Sequence, residues 1–119
     1  MATLTVQSFD KDGLDVTHAA AAGGGDVFAN DATQRTFLSA KNGSGGAIVI
    51  TITAQTTSAT VTPYGTLTQA NITFSLGAGE DCIIGPFNTL LFNNSSNQVA
   101  VTYDGVTSLT VAACKLLAP

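Results

Sequence analysis

Charge is scarce in this chain: only 10% of its 119 residues are Asp, Glu, Lys or Arg. The four cations, Lys11, Arg35, Lys41 and Lys115, are scattered and face eight acids, for a net charge of -4. Nucleic-acid binding needs clustered positive charge to displace phosphate counterions, so DNA and RNA are not expected as partners. Tryptophan is absent and the tyrosines are Tyr64 and Tyr103 alone. A carbohydrate-binding module stacks sugars on exposed rings, and the stock here is thin. No apolar run nears the roughly 20 residues that span a bilayer, so no membrane partner is expected. The first residues show no basic stretch followed by an apolar one, which reads as no secretory signal and synthesis in the cytoplasm.

Histidine is limited to His18, so any Ser-His or Cys-His nucleophile scheme must use it. It stands at the mouth of an Ala/Gly-rich stretch, a poor platform for holding a catalytic group. No G-x-S-x-G elbow occurs, and Glu80 and Asp81, adjacent on a presumed strand, point to opposite faces. We expect no enzyme and no cofactor. One His and two distant cysteines lack zinc spacing, and Cys82 and Cys114 sit in apolar stretches, as buried free thiols do. "DKDGLD" (Asp10 to Asp15) has the look of a calcium loop, but with Gly13 at the glycine position Ser8 and Ala19 fill ligand positions. An Asp-Gly turn explains it better. Asp26, Asn30 and Asp31 are a second oxygen cluster in ordinary turn residues, and we expect no metal there either.

Hydrophobic residues make up 45% of the chain, enough to fill one core in a domain of this size. "AIVITITA" (Ala47 to Ala54) alternates strictly, with isoleucines on one face, the pattern of a half-buried strand. The same period runs through Thr3 to Phe9, Arg35 to Lys41, Ala70 to Leu76, Gln98 to Tyr103 and Ser108 to Leu116. "DVF", "ATVTP" and "EDCIIG" are weaker strands, and the separators are Gly/Asn turn chemistry. Helix signals are nearly absent. The expected fold is all-β: one domain over residues 1–119, a single antiparallel β-sandwich, jelly-roll or immunoglobulin-like, with essentially no helix. In "IGPF", Gly85 and Pro86 mark a corner or an edge, and Phe87 turns into the core.

"THAAAAGGGDVFAND" (Thr17 to Asp31) reads as one long loop, because three glycines end any helix the alanines begin. It carries no phosphate-binding motif. Its small side chains suit a segment lying flat on another chain, anchored by Val27 and Phe28; the alternative is a surface loop whose Phe28 enters its own core. With the exposed side of the first strand, this makes Thr3, Thr5, Ala20, Ala22, Gly24, Val27 and Phe28 the candidate protein interface. Four Thr-x-Thr triplets, at Thr3, Thr51, Thr60 and Thr66, suggest an ice-binding ladder, but their spacing is irregular and outward threonines on strands account for them. The N-x-[ST] triplets at Asn42, Asn71, Asn93 and Asn94 read as turn and strand residues.

At "GDVFANDATQRTFLSAKNGSGGAIVITITA", "LGAGEDCIIGPFN" and "VAVTYDGVTSLTVAACKL" the chain resembles small β-rich proteins of tailed phages and prophages, in which these elements recur in this order. The resemblance runs from Gly25 to Leu116. It implies a virion structural protein, a decoration or cement protein on the outer capsid surface that contacts the major capsid protein, commonly as a homo-oligomer with a trimer favoured. A tail or head-fibre subunit, or a carbohydrate-binding sandwich for host attachment, is the alternative.

Overall fold

Period-two alternation decides which face each strand of this protein buries. The computed structural model describes residues 2–55, 58–61, 65–68 and 70–117. In chain order its elements are β1 (Ala2–Leu4), β2 (Val6–Phe9), β3 (Ala19–Ala20), β4 (Asp26–Ala29), β5 (Thr36–Asn42), β6 (Ile48–Ile52), β7 (Ser58–Val61), β8 (Gly65–Thr68), β9 (Ile72–Leu76), β10 (Asp81–Ile84), α1 (Thr89–Phe92), β11 (Gln98–Tyr103) and β12 (Leu109–Leu116). The first sheet has the order β1-β4-β11-β6-β9 and the second β10-β5-β12-β2, with β3 also on β12. A separate ribbon pairs β7 with β8. The all-β sandwich expected from the sequence is what forms, and helix among the described residues is limited to the single turn α1.

The sheets are mixed rather than purely antiparallel. The first expected strand, Thr3 to Phe9, divides at Thr5: β1 pairs parallel to β4 in one sheet and β2 parallel to β12 in the other. Leu4 and Val6 both face the core, but from opposite sheets. Crossing at Thr5 is what lets one short segment contribute apolar side chains to both layers.

Between the sheets, Leu4, Phe28, Ile48, Ile50, Ile52, Leu76, Val99 and Val101 meet Leu38, Ala40, Ile84, Leu109, Val111 and Ala113 in one apolar cluster. Phe87 joins it, as expected, stacking near Phe28 and Phe92 at centroid distances of 5.8 and 5.9 Å. Burying a side chain of this size contributes on the order of 2 kcal/mol. The corner before Phe87 requires glycine: Gly85 has φ +130°, and a Cβ there would lie 2.8 Å from Phe37 Cβ. The Gly85–Pro86 bond is cis. Asn88 caps α1, its side chain accepting from the backbone N–H groups of Leu90 and Leu91.

The long loop expected from Thr17 to Asp31 is interrupted by two short strands, β3 and β4, which take up six of its fifteen residues. β3 pairs antiparallel with Thr110 and Val111, and β4 fills the first sheet between β1 and β11. A tight turn closed by Gly25 N–H to Ala22 O, with Gly25 at φ +95°, joins them. Asp26, fully buried at the start of β4, fixes this turn: one carboxylate oxygen accepts from the Ala22 N–H and from Tyr103 Oη at 2.8 Å. Burial first, and then this bond to Asp26, push the Tyr103 phenol far above its ordinary value.

Candidate functional site

The sandwich exposes two outer sheet faces, and their chemistry differs. On the first sheet the outward positions are Val27, Ala29, Gln98, Ala100, Thr102, Val49, Thr51, Thr73 and Ser75, none of them charged. Thr102, Thr51 and Thr73 are register partners in a row across β11, β6 and β9. The Thr-x-Thr triplet at Thr51 therefore does join other threonines, although the triplet spacing along the chain is irregular.

On the second sheet the outward positions are Phe37, Ser39 and Lys41 of β5, Asp81 and Ile83 of β10, Thr110, Ala112 and Cys114 of β12, and Gln7 and Phe9 of β2. The chain leaving β2 turns at Asp10 to Gly13, closed by Gly13 N–H to Asp10 O and by Asp12 N–H to the Asp10 carboxylate. This is the turn expected at "DKDG". Leu14 to His18 then come back against the outer face as a strap. Gln7 clips it at Thr17 in both directions, donating to Thr17 O at 2.8 Å and accepting from Thr17 N–H at 2.9 Å. Phe9, Leu14, Val16, Phe37, Ser39, Ile83 and Cys114 line a groove of about 220 Å³. Phe9 meets Phe37 edge-on at 5.6 Å, and Ile83 is 69% exposed at the rim.

His18 is held more firmly than its place beside an Ala/Gly stretch suggests. Its Nε2 lies 3.0 Å from Ser39 Oγ. Burial, followed by the charge of Lys41, lowers its pKa against the opposing pull of Asp81. Nothing local in the sequence points to this pair, because 21 positions separate the two residues.

The candidate interface residues separate. Thr3, Thr5, Ala20 and Gly24 are exposed and Ala22 is half-buried. Thr3 and Thr5 line a cleft of about 410 Å³ with Leu4, Gln7, Thr17, Ala19 and Val111 to Ala113, where the first segment changes sheets. The Ala22–Gly25 turn lies beside it through Ala2 N–H to Gly25 O. Val27 and Phe28 are the correction: Phe28 has no exposed surface and belongs to the core, and Val27 is buried between Thr3 and Ala100 on neighbouring strands. A β-strand here uses its one aromatic to fill the interior, as the alternative reading of the loop had it. The edges expected at the first segment and near "IGPF" are sheet edges, formed by β1, β2 and β10.

Other sequence candidates serve the fold. Cys82 is half-buried rather than buried, Cys114 is buried, and both are free. Their strands flank β5, and two strand spacings of about 4.8 Å exceed what a disulfide spans. Burial raises both thiol pKa values. Asp31 bonds Thr33 and Lys115, and the Lys115 ammonium foremost holds its carboxyl down at about 2. Of the oxygen cluster proposed around it, Asp26 is turned to Tyr103 and Asn30 to Phe87 O and Asn93. No group of three or more His, Cys, Asp or Glu is placed to hold a metal among the described residues. The asparagines of the N-x-[ST] triplets cap loops: Asn42 Nδ2 donates to Gly46, Leu76 and Gly77 carbonyls, and Asn71 accepts from Ala54 N–H. Tyr64 lies outside the described residues, as do Thr62 and Pro63 of the expected "ATVTP" strand. No helix among the described residues is long and apolar enough to cross a membrane.

Comparison with family models, curated proteins and solved structures finds no match to this chain.

Proposed function

We propose that this chain is a structural protein of a tailed-phage virion, a decoration or cement protein that binds the outer capsid surface and contacts the major capsid protein, with a trimer as the favoured assembly. The reading rests on the resemblance running from Gly25 to Leu116. The observation that carries it in three dimensions is the uncharged flank formed by Thr3, Thr5, Ala20 and Gly24. Thr3 and Thr5 line the 410 Å³ cleft beside the edge strands β1 and β2, and Ala20 and Gly24 are exposed on β3 and in the Ala22–Gly25 turn.

Edge strands offer unpaired backbone donors and acceptors to another chain, and small uncharged side chains allow close approach without desolvating a charge. Binding only to the assembled shell stabilises that shell by mass action, with no chemical turnover. The test is rebinding to particles stripped of this chain. Thr3→Lys combined with Thr5→Lys places two cations on the flank at exposed positions. Loss of particle binding with an unchanged unfolding transition supports the assignment; undiminished binding removes it.

A further inference from the structure

We propose that Ser39 is an acyl-accepting nucleophile, with His18 as its general base, and that it takes activated esters of short apolar acids in a stoichiometric reaction. This adds a covalent modification site to a chain whose proposed role is assembly.

Geometry comes first. His18 Nε2 stands 3.0 Å from Ser39 Oγ, within the reach a general base needs. In the tautomer that carries its proton on Nδ1, Nε2 is the acceptor for the serine proton. The lowered pKa keeps the ring neutral, and so able to take that proton, at pH 7. The outward side chains of β5 then set the polarity of the site: Phe37, Ser39 and Lys41 follow one another at about 7 Å intervals. Phe37, Ile83, Leu14 and Val16 wall the 220 Å³ groove on one side of Ser39. A second depression, lined by Ser39, Lys41, Asp81, Cys82 and Ile83, opens on the other. An acyl chain of a few carbons suits the first and a polar leaving group the second.

The step balances without any further reagent. Ser39 Oγ bonds the ester carbonyl carbon as its proton passes to His18 Nε2; the bond from carbon to the leaving oxygen breaks, and the leaving group departs as the alcohol with that proton. Ser39 ends as an ester. Hydrolysis of that ester is expected to be slow, because the serine alkoxide is a far poorer leaving group than the alcohol of an activated ester, and Ser39 sits mid-strand between Ile83 and Ala112 with the neighbouring backbone N–H groups in the sheet ladders. No preorganised pair of donors is left for an oxyanion.

The experiment mixes the full chain with excess p-nitrophenyl butyrate at pH 7 and reads the nitrophenolate burst and the site of label by peptide mass spectrometry. The expected result is one butyryl group per chain, on Ser39, with no burst in Ser39→Ala. In His18→Gln the burst rate falls about 100-fold or more. Both variants are to show the parent's circular dichroism spectrum, and Thr110→Ser, outside the pair, keeps the burst if either proves unfolded. Label on lysines or the terminal amine, an undiminished burst in Ser39→Ala, or no burst from the parent chain overturns the proposal.

Discussion

The two outer faces of the sandwich grow from the same strand alternation over one shared core, yet one is uncharged and the other carries charges under a strap. The outward positions of the first sheet carry no charge: Thr51, Thr73, Ser75 and Thr102 line it on the β11-β6-β9 side, while Val27 and Ala100 are buried on the β4 side. The second carries Lys41, Asp81, Ser39 and Ile83, and Leu14 to His18 are folded back onto it. The difference lies in nine residues. Once β2 ends on the second sheet, the Asp10–Gly13 turn has only that face to return across before β3 rejoins β12. Chemistry thus collects where the chain doubles back, because a strap brings side chains remote in sequence over a rigid sheet.

Substitutions can break this contrast or sharpen it. The largest effect should come from the core both faces share: Phe28→Ala is expected to cost about 3–5 kcal/mol in denaturant unfolding. A loss of particle binding without any loss of stability would instead return Phe28 to the interface. Gly85→Ala acts at the corner beside the strapped side, driving a Cβ into Phe37 and close to Phe87 at a positive φ, and should cost about 1–3 kcal/mol. Gln7→Ala removes both bonds that clip the strap and should cost about 1–2 kcal/mol, with faster amide exchange at Thr17. Thr51→Val on the uncharged face should stay within about 0.5 kcal/mol.

The smallest effect is on pH dependence. The folded chain holds the His18 pKa below the unfolded value of 6.5, so below pH 6.5 the unfolded state binds the proton better. Stability contributed by the neutral ring is complete above pH 6.5 and declines as the pH falls from there to the folded pKa, with no further loss from this group below it. His18→Gln should flatten that part of a stability-against-pH curve. An unchanged curve would detach His18 from the strap.

Long alternating segments were legible in the sequence. β5, β6, β11 and β12 lie within a residue or two of their expected bounds, and Phe87 turns inward as "IGPF" implied. The segment from Thr17 to Asp31 was not, because a two-residue strand such as β3 has no period to detect and β4 offers only one large inward residue, Phe28. The break at Thr5 was hidden for a related reason: Leu4 and Val6 alternate like one strand while serving two sheets. Asparagines read as turn formers, which they are, but nothing local shows that Asn42 gathers carbonyls from residues 34 and 35 positions away. The pairing of His18 with Ser39 is likewise a product of topology.

The most direct measurement of the proposed cement role counts copies of this chain against the major capsid protein in purified particles of the proposed source phage, by quantitative mass spectrometry. The account predicts copies comparable to the number of shell symmetry positions. A handful of copies, as a tail or fibre subunit would give, or none at all, would contradict it.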